Sequence, residues 1–140
     1  VGILKEEGNE IQDFDFWNAK AIYFYDKDKN IVELIARKNL NNLSNQKFDS
    51  NQFLQISEIG LPTLNIENEF KQLKSLTGIE IFDGGFERFC AIGDENGLFI
   101  CINKKVKYWY PTNNKAFSSE FEIRLLEKGN EYRIAYKTKK

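Results

Sequence analysis

Asp26-Lys27-Asp28-Lys29-Asn30-Ile31-Val32-Glu33-Leu34-Ile35 decides how this chain is read, because the pattern returns further on. It is a polar turn that feeds an apolar, β-branched run, the composition of a hairpin and the strand leaving it. Sixty-eight residues later stands Asp94-Glu95-Asn96-Gly97-Leu98-Phe99-Ile100-Cys101-Ile102, with Asp94 in the place of Asp26 and Cys101 in the place of Glu33. Upstream, Leu4 to Ile11 is similar to Leu73 to Ile81, Gly8 matching Gly78 and Ile11 matching Ile81. Two faint copies of one pattern argue for a repeated module.

The second copy reads as a whole unit. Ile66, Phe70, Leu73 and Leu76 recur at helical spacing, with Asn65 as N-cap and Gly78 as stop, which predicts a helix over 66–76. A β-prone run at 54–61 precedes it, and runs at 79–82, 86–92 and 97–102 follow, separated by Asp83-Gly84-Gly85 and by Asp94 to Gly97. The expectation is therefore an α+β chain of repeated βαβββ modules, with mixed, mostly antiparallel, curved sheets. In the first copy, residues 1–7 read as the last turns of a helix, followed by strands at about 9–14, 20–25 and 30–36. On this reading its opening strand lies outside the chain. The expected divisions are 1–37 for the end of one module, 38–53 for an Asn- and Ser-rich linker, 54–104 for a complete module, and 105–140 for an extension. That extension holds strands near 119–126 and 131–137 about Gly129-Asn130. If the second hairpin turns at Glu95-Asn96, Cys90 faces Cys101. The same arithmetic carried back to the first hairpin sets Ile22 opposite Glu33.

The chain has 20 Lys and Arg against 21 Asp and Glu, a formal net charge of −1, so nothing suggests a nucleic-acid groove. The tail Lys137-Thr138-Lys139-Lys140 reads as a solvated end. No apolar run reaches the roughly 20 residues of a membrane span, and no signal peptide is visible. Two cysteines without a framework point to a reducing, cytoplasmic setting. There is no His, which excludes imidazole-based metal sites and His-dependent nucleophiles. Gly84-Gly85 lacks the strand-loop-helix context of a phosphate loop and reads as a turn.

Residues 20–36, and Asp26 to Leu34 above all, resemble the closing hairpin of the vicinal oxygen chelate modules found in glyoxalases, bleomycin-resistance proteins and ring-cleaving dioxygenases. Asp26, Asn30 and Glu33 keep that pattern, whereas Lys27 and Lys29 stand where it has Pro and Gly. Residues 56–61, Ile-Ser-Glu-Ile-Gly-Leu, resemble the opening strand of a following module. The resemblance implies paired modules around a cleft for a small molecule. It also implies metal-ligand positions at Glu33 and at Glu58, the latter where the family often has His. Cys101 stands at a further ligand position, a departure from the family's Glu.

Each residue also carries a plainer reading. Glu33 interrupts an apolar strand, which fits a cleft ligand or a surface Glu paired with Arg37; an unpaired burial would be costly. Glu58 fits an exposed strand carboxylate equally well. Cys90 and Cys101 fit two small buried side chains. Trp17, Tyr23, Tyr25, Cys101, Tyr108 and Trp109 are candidates to line the cleft, although aromatic strand residues also build ordinary cores. Carboxylates suit a labile Mg²⁺ or Mn²⁺, while a Cys beside them suits softer metals, so no tightly bound cofactor is expected. Three functions follow: a metal-dependent lyase or dioxygenase, a non-catalytic small-molecule binder, or a module whose cleft is vestigial. An unpaired sheet edge in the first module further suggests a homo-oligomer.

Overall fold

The computed structural model describes residues 1–137; the basic tail from Thr138 onward lies outside the described residues. Among the described residues the fold is rich in sheet, with one α-helix and mostly antiparallel pairing, compatible with the α+β class. The chain divides into two compact units. Unit 1 comprises Val1–Leu54 with Tyr110–Asn113, and unit 2 comprises Gln55–Trp109 with the chain from Asn114 onward. Among the described residues, no helix is long and apolar enough to cross a membrane.

Unit 1 is built on three antiparallel strands in the order β1-β2-β3: β1 (Gln12–Phe14), β2 (Ala19–Tyr25) and β3 (Ile31–Arg37). The turn between β2 and β3 is set by Asp26. Its Oδ1 accepts the backbone N–H groups of Asp28 (2.9 Å) and Asn30 (2.8 Å), and its Oδ2 accepts from the Asn30 side chain (2.9 Å). These bonds, the Asn30 side chain foremost, hold the Asp26 carboxyl below the usual carboxylate range. Lys29 adopts the left-handed conformation (φ 68°), so the loop carries one bulged residue after a tight turn. That extra residue shifts the register. Glu33 pairs with Tyr23, and Ile22 pairs with Leu34, which corrects the expected Ile22–Glu33 pair.

The start of the chain departs from expectation as well. Residues 1–7 form no helix. Leu4 N–H instead donates to Tyr23 O (2.8 Å), and Ile3 bridges Phe24. So short a segment is below the length at which an isolated helix holds, and strand-like bonding to β2 satisfies its backbone instead.

Unit 2 runs β4 (Glu58–Thr63), α1 (Ile66–Thr77), β5 (Ile81–Gly84), β6 (Phe89–Asp94) and β7 (Gly97–Asn103), in the sheet order β4-β7-β6-β5. β4 lies parallel to β7, with Gly60 beside Ile100 and Leu61 beside Cys101; the other pairs are antiparallel. The helix begins where Asn65 Oδ1 accepts the Asn68 N–H (2.9 Å). It ends at Gly78, whose φ of 76° lets its N–H reach Lys74 O (2.8 Å). Ile66 and Leu73 point into a core of Leu61, Ile79, Cys90, Ile92, Phe99 and Cys101. Leu76, counted on the apolar face from its spacing, is 55% exposed.

Two short strands, β8 (Tyr108–Trp109) and β9 (Asn114–Lys115), pair antiparallel. A hairpin of β10 (Phe121–Glu127) and β11 (Asn130–Tyr136) follows. Its alternation is clean: Phe121, Ile123, Leu125, Ile134 and Tyr136 pack on the core, while Glu122, Arg124 and Arg133 face outward. Lys128, at its tip, donates from Nζ to Gly78 O (2.6 Å), placing a cation at the C-terminus of α1. Truncating Leu73 to Ala in this core should cost about 2–5 kcal/mol.

Cys90 faces Cys101 across β6 and β7, as expected, and both thiols are free and fully buried. Asn103 N–H donates to Arg88 O on the same ladder (2.9 Å), so alternation makes Cys90–Cys101 a hydrogen-bonded pair. Side chains at such pairs stand further apart than at non-hydrogen-bonded pairs, and both cysteines are free. Burial pushes the Cys90 thiol from an ordinary 9.0 up to about 11, with Asp83 adding to it. Burial pushes Cys101 up to about 12, with smaller contributions from Glu69 and Cys90. The folded state therefore favours the neutral thiols. Their stabilisation is complete below pH 9 and is lost as pH rises towards 11 to 12. Urea unfolding midpoints should fall over that window, and a Cys90→Ala/Cys101→Ala chain should show a shallower fall. Thiol titration should find two thiols that are unreactive in the native chain and fully reactive in denaturant.

Candidate functional site

The chemistry-bearing residues of unit 1 gather on one face of its sheet. Residues that alternate along a strand share a face, so Glu33 stands with Ile35 and Arg37 on β3, and with Tyr23 and Ala21 across the register on β2. The flanking bonds Asp26 N–H to Asn30 O and Lys38 N–H to Asn18 O fix which pairs are hydrogen-bonded. Tyr23–Glu33 falls between them, at a non-hydrogen-bonded position where side chains approach more closely. Tyr23 Oη donates to Glu33 Oε1 at 2.5 Å. Glu33 is half-buried and Tyr23 buried, so the carboxylate keeps contact with water while the phenol anchors it.

Tyr110 closes on this pair. Its ring meets Tyr23 edge-to-face at 5.6 Å and Phe14 at 6.0 Å, arrangements that aromatic pairs favour. Its hydroxyl donates to Gln12 Oε1 (2.9 Å), and Gln12 Nε2 donates to Asn9 O (2.7 Å), which satisfies a buried amide. Burial raises the Tyr110 hydroxyl above its ordinary value, with Glu6, Glu7 and Glu33 adding negative potential. Trp17 lies 6.0 Å from Phe14, and the buried Arg37 guanidinium sits over the Trp17 ring, 5.4 Å from its centre. The site is thus an aromatic patch with the Glu33 carboxylate, the Gln12 amide, the Tyr23 and Tyr110 phenols and the Arg37 guanidinium.

Of the expected residues, Trp17, Tyr23 and Glu33 belong to this patch. Tyr25 is half-buried at the end of β2, opposite Ile31. Glu58, Cys101, Tyr108 and Trp109 belong to unit 2. There Glu58 opens β4 beside Leu98 and shares a sheet face with Gly60, whereas Cys101 pairs with Leu61 on the opposite, core face. Glu58 and Cys101 therefore do not converge, and Cys101, with no exposed surface, lines nothing open. Trp109 packs closely against Gly60: a Cβ there would stand 2.7 Å from its Cη2. Tyr108 is 53% exposed. Gln12, Phe14, Arg37 and Tyr110 were not singled out from sequence as site residues. Tyr110 sits in the aromatic run at 108–110, but nothing local ties it to Gln12, 98 residues away.

Among the described residues, no group of three or more His, Cys, Asp or Glu stands close enough to hold a metal ion. A wide surface hollow in unit 1 is lined in part by Lys5, Glu10, Asp13 and Lys20. Its charges are matched internally, Lys5 with Glu10 (3.7 Å) and Lys20 with Asp13 (3.0 Å). No family model and no curated protein matches the chain.

Two substitutions probe this geometry. Tyr23→Phe and Glu33→Gln, with the double variant, should give a coupling energy of about 1 kcal/mol in a double-mutant cycle on urea unfolding, since the bond is charge-assisted but only half-buried. Gly60→Ala should displace the Trp109 ring, shift tryptophan emission and destabilise by about 1–3 kcal/mol. An unchanged spectrum would refute the Trp109–Gly60 contact.

Proposed function

We propose that the chain is a small-molecule-binding domain of the vicinal oxygen chelate type, that its ligand meets the Tyr23–Glu33 pair, and that it has no tightly bound metal. One observation carries the reading. From Glu58 to Asn103 the chain runs strand, helix and three strands, with the last strand parallel to the first and beside it. That is the element order of one βαβββ module. The β2–β3 hairpin of unit 1 has the place of a closing hairpin in a preceding module, with Glu33 at the position the family uses for a ligand.

The residues do not fit a resident metal ion. Cys101 faces a core, and among the described residues no group of three or more His, Cys, Asp or Glu is placed to hold a metal ion. This favours binding over lyase or dioxygenase chemistry, which requires ligands that these residues do not assemble. What the site offers is an acceptor carboxylate beside aromatic edges, suited to a small ring or carbonyl compound bearing adjacent hydroxyls.

Catechol tests the reading as a simple vicinal-oxygen probe. Titration followed by tryptophan emission should be saturable, unaffected by EDTA, and weakened about tenfold or more by Glu33→Gln, as loss of a charge-assisted hydrogen bond implies. Dialysed protein should carry well under one metal per chain. Binding that requires added Mn²⁺ and disappears in Glu33→Gln would overturn the metal-free reading in favour of an enzyme.

A further inference from the structure

Between Glu95 and Glu120 the chain carries four lysines, Lys104, Lys105, Lys107 and Lys115, and no acidic residue. In a chain whose charges otherwise nearly cancel, this is a local excess of cation, and all four lie in unit 2. The fold gathers them. Asn103 ends β7 and organises the loop behind it. Its Oδ1 accepts the Lys105 N–H (3.1 Å), and its carbonyl accepts the N–H groups of Val106 (3.1 Å) and Lys107 (3.0 Å). A fifth cation joins from the segment just before β6, because Asn103 N–H donates to Arg88 O (2.9 Å). Lys115 stands on β9 opposite Tyr108, the residue that follows Lys107.

None of these five side chains forms an ion pair among the described residues. Lys104 Nζ meets the Ser118 hydroxyl (2.9 Å) and Lys107 Nζ donates to the Tyr108 carbonyl (3.3 Å), both neutral groups. Elsewhere in unit 2 surface lysines find carboxylates, as Lys71 does with Glu67 (2.8 Å) and Lys74 with Glu80 (3.0 Å). Lys107 shows the consequence. It is half-buried, and its ammonium is held below the usual lysine range, first by loss of water and then by repulsion from Arg88. The charge that acts on it is another cation.

Two neighbouring cations, one of them partly stripped of water, repel each other in the free protein and are both stabilised by a dianion placed between them. We propose that this end of unit 2 binds a phosphate-bearing small molecule, its phosphate group meeting Arg88 and Lys107, with Lys104, Lys105 and Lys115 adding to the local positive potential. A carboxylate would neutralise one of the two cations. A phosphate monoester carries about −1.5 to −2 at neutral pH and offers three acceptor oxygens, so it answers both. The guanidinium fork suits two of those oxygens and the ammonium a third. The site rests on unit 2 alone and is independent of the Tyr23–Glu33 pair.

Inorganic phosphate is the probe, followed by the Cε and Nζ resonances of the lysines in the isotopically labelled whole chain. With sodium chloride adjusted to hold ionic strength constant, phosphate should raise the titration midpoint of Lys107 saturably. It should leave unchanged that of Lys71, whose ammonium is paired with Glu67. Arg88→Gln should act in two ways. It should raise the Lys107 midpoint in phosphate-free buffer, since the repulsion is lost, and weaken phosphate binding at least about tenfold, since a charge-assisted donor is lost. Arg88 is exposed, so the circular dichroism spectrum should not change. A Lys107 midpoint indifferent to phosphate, or one that moves only in step with Lys71, would overturn the proposal, as would an Arg88→Gln chain of unaltered phosphate affinity. Single-stranded oligo-dT binding about ten times more tightly than phosphate would also overturn it, because that result would mean an extended nucleic-acid surface in place of a small-molecule site.

Discussion

The parallel contact between β4 and β7 is the constraint on which unit 2 depends. Parallel neighbours cannot be joined by a tight turn and need a crossover. Here α1 returns the chain across the sheet, and the β5–β6–β7 meander then brings β7 alongside β4. The helix that makes this return has to bury its apolar stripe, and the face it covers supplies Leu61, Cys90, Ile92, Phe99 and Cys101. The β10–β11 hairpin completes the cover of the same core, and Lys128 ties its tip to the end of the helix. The full burial of both thiols, and their raised pKa values, follow from lying at the centre of this arrangement.

Unit 1 is organised differently. It has no α-helix, only single 3-10 turns; its side-chain order comes from aromatic contacts and directed hydrogen bonds. A carboxylate in the middle of an apolar strand is costly unless something donates a hydrogen bond to it, and the Tyr23 hydroxyl does so from the neighbouring strand. The phenol that steadies Glu33 is itself held by Tyr110, and Tyr110 by Gln12. Chemistry and packing thus share the same residues in unit 1, whereas unit 2 keeps its potentially reactive thiols sealed in a core.

Much of unit 2 was legible in the sequence because its signals are local. Asn65 and Gly78 bracket α1, and Ile66, Phe70 and Leu73 mark its buried side. The two-residue turn at Glu95-Asn96 made the Cys90–Cys101 register a matter of counting. The first hairpin defeated the same counting because Lys29 takes a left-handed conformation that Gly or Asn would have announced. The reading of residues 1–7 as helix rested on analogy between the two copies, and backbone bonding to β2 prevailed. The site was legible only in part. Glu33 stood out as a charge in an apolar run, and Tyr23 as an aromatic neighbour. Gln12 and Tyr110 are joined by tertiary folding across most of the chain, which leaves no mark on periodicity.

The parallel pairing of β4 with β7 is most directly tested by native-state hydrogen exchange. Leu98 N–H donates to Ser57 O and Asn103 N–H to Arg88 O, so alternate amides of β7 bond to β4 and to β6. The amides of Ile100 and Ile102 should bond β4, and those of Phe99 and Cys101 should bond β6. If β4 and β7 pair as described, all four should exchange together in the slowest class, with the rate of global unfolding. Rapid exchange at Ile100 and Ile102 beside slow exchange at Phe99 and Cys101 would mean that β7 is an edge strand, and the account of unit 2 would be wrong.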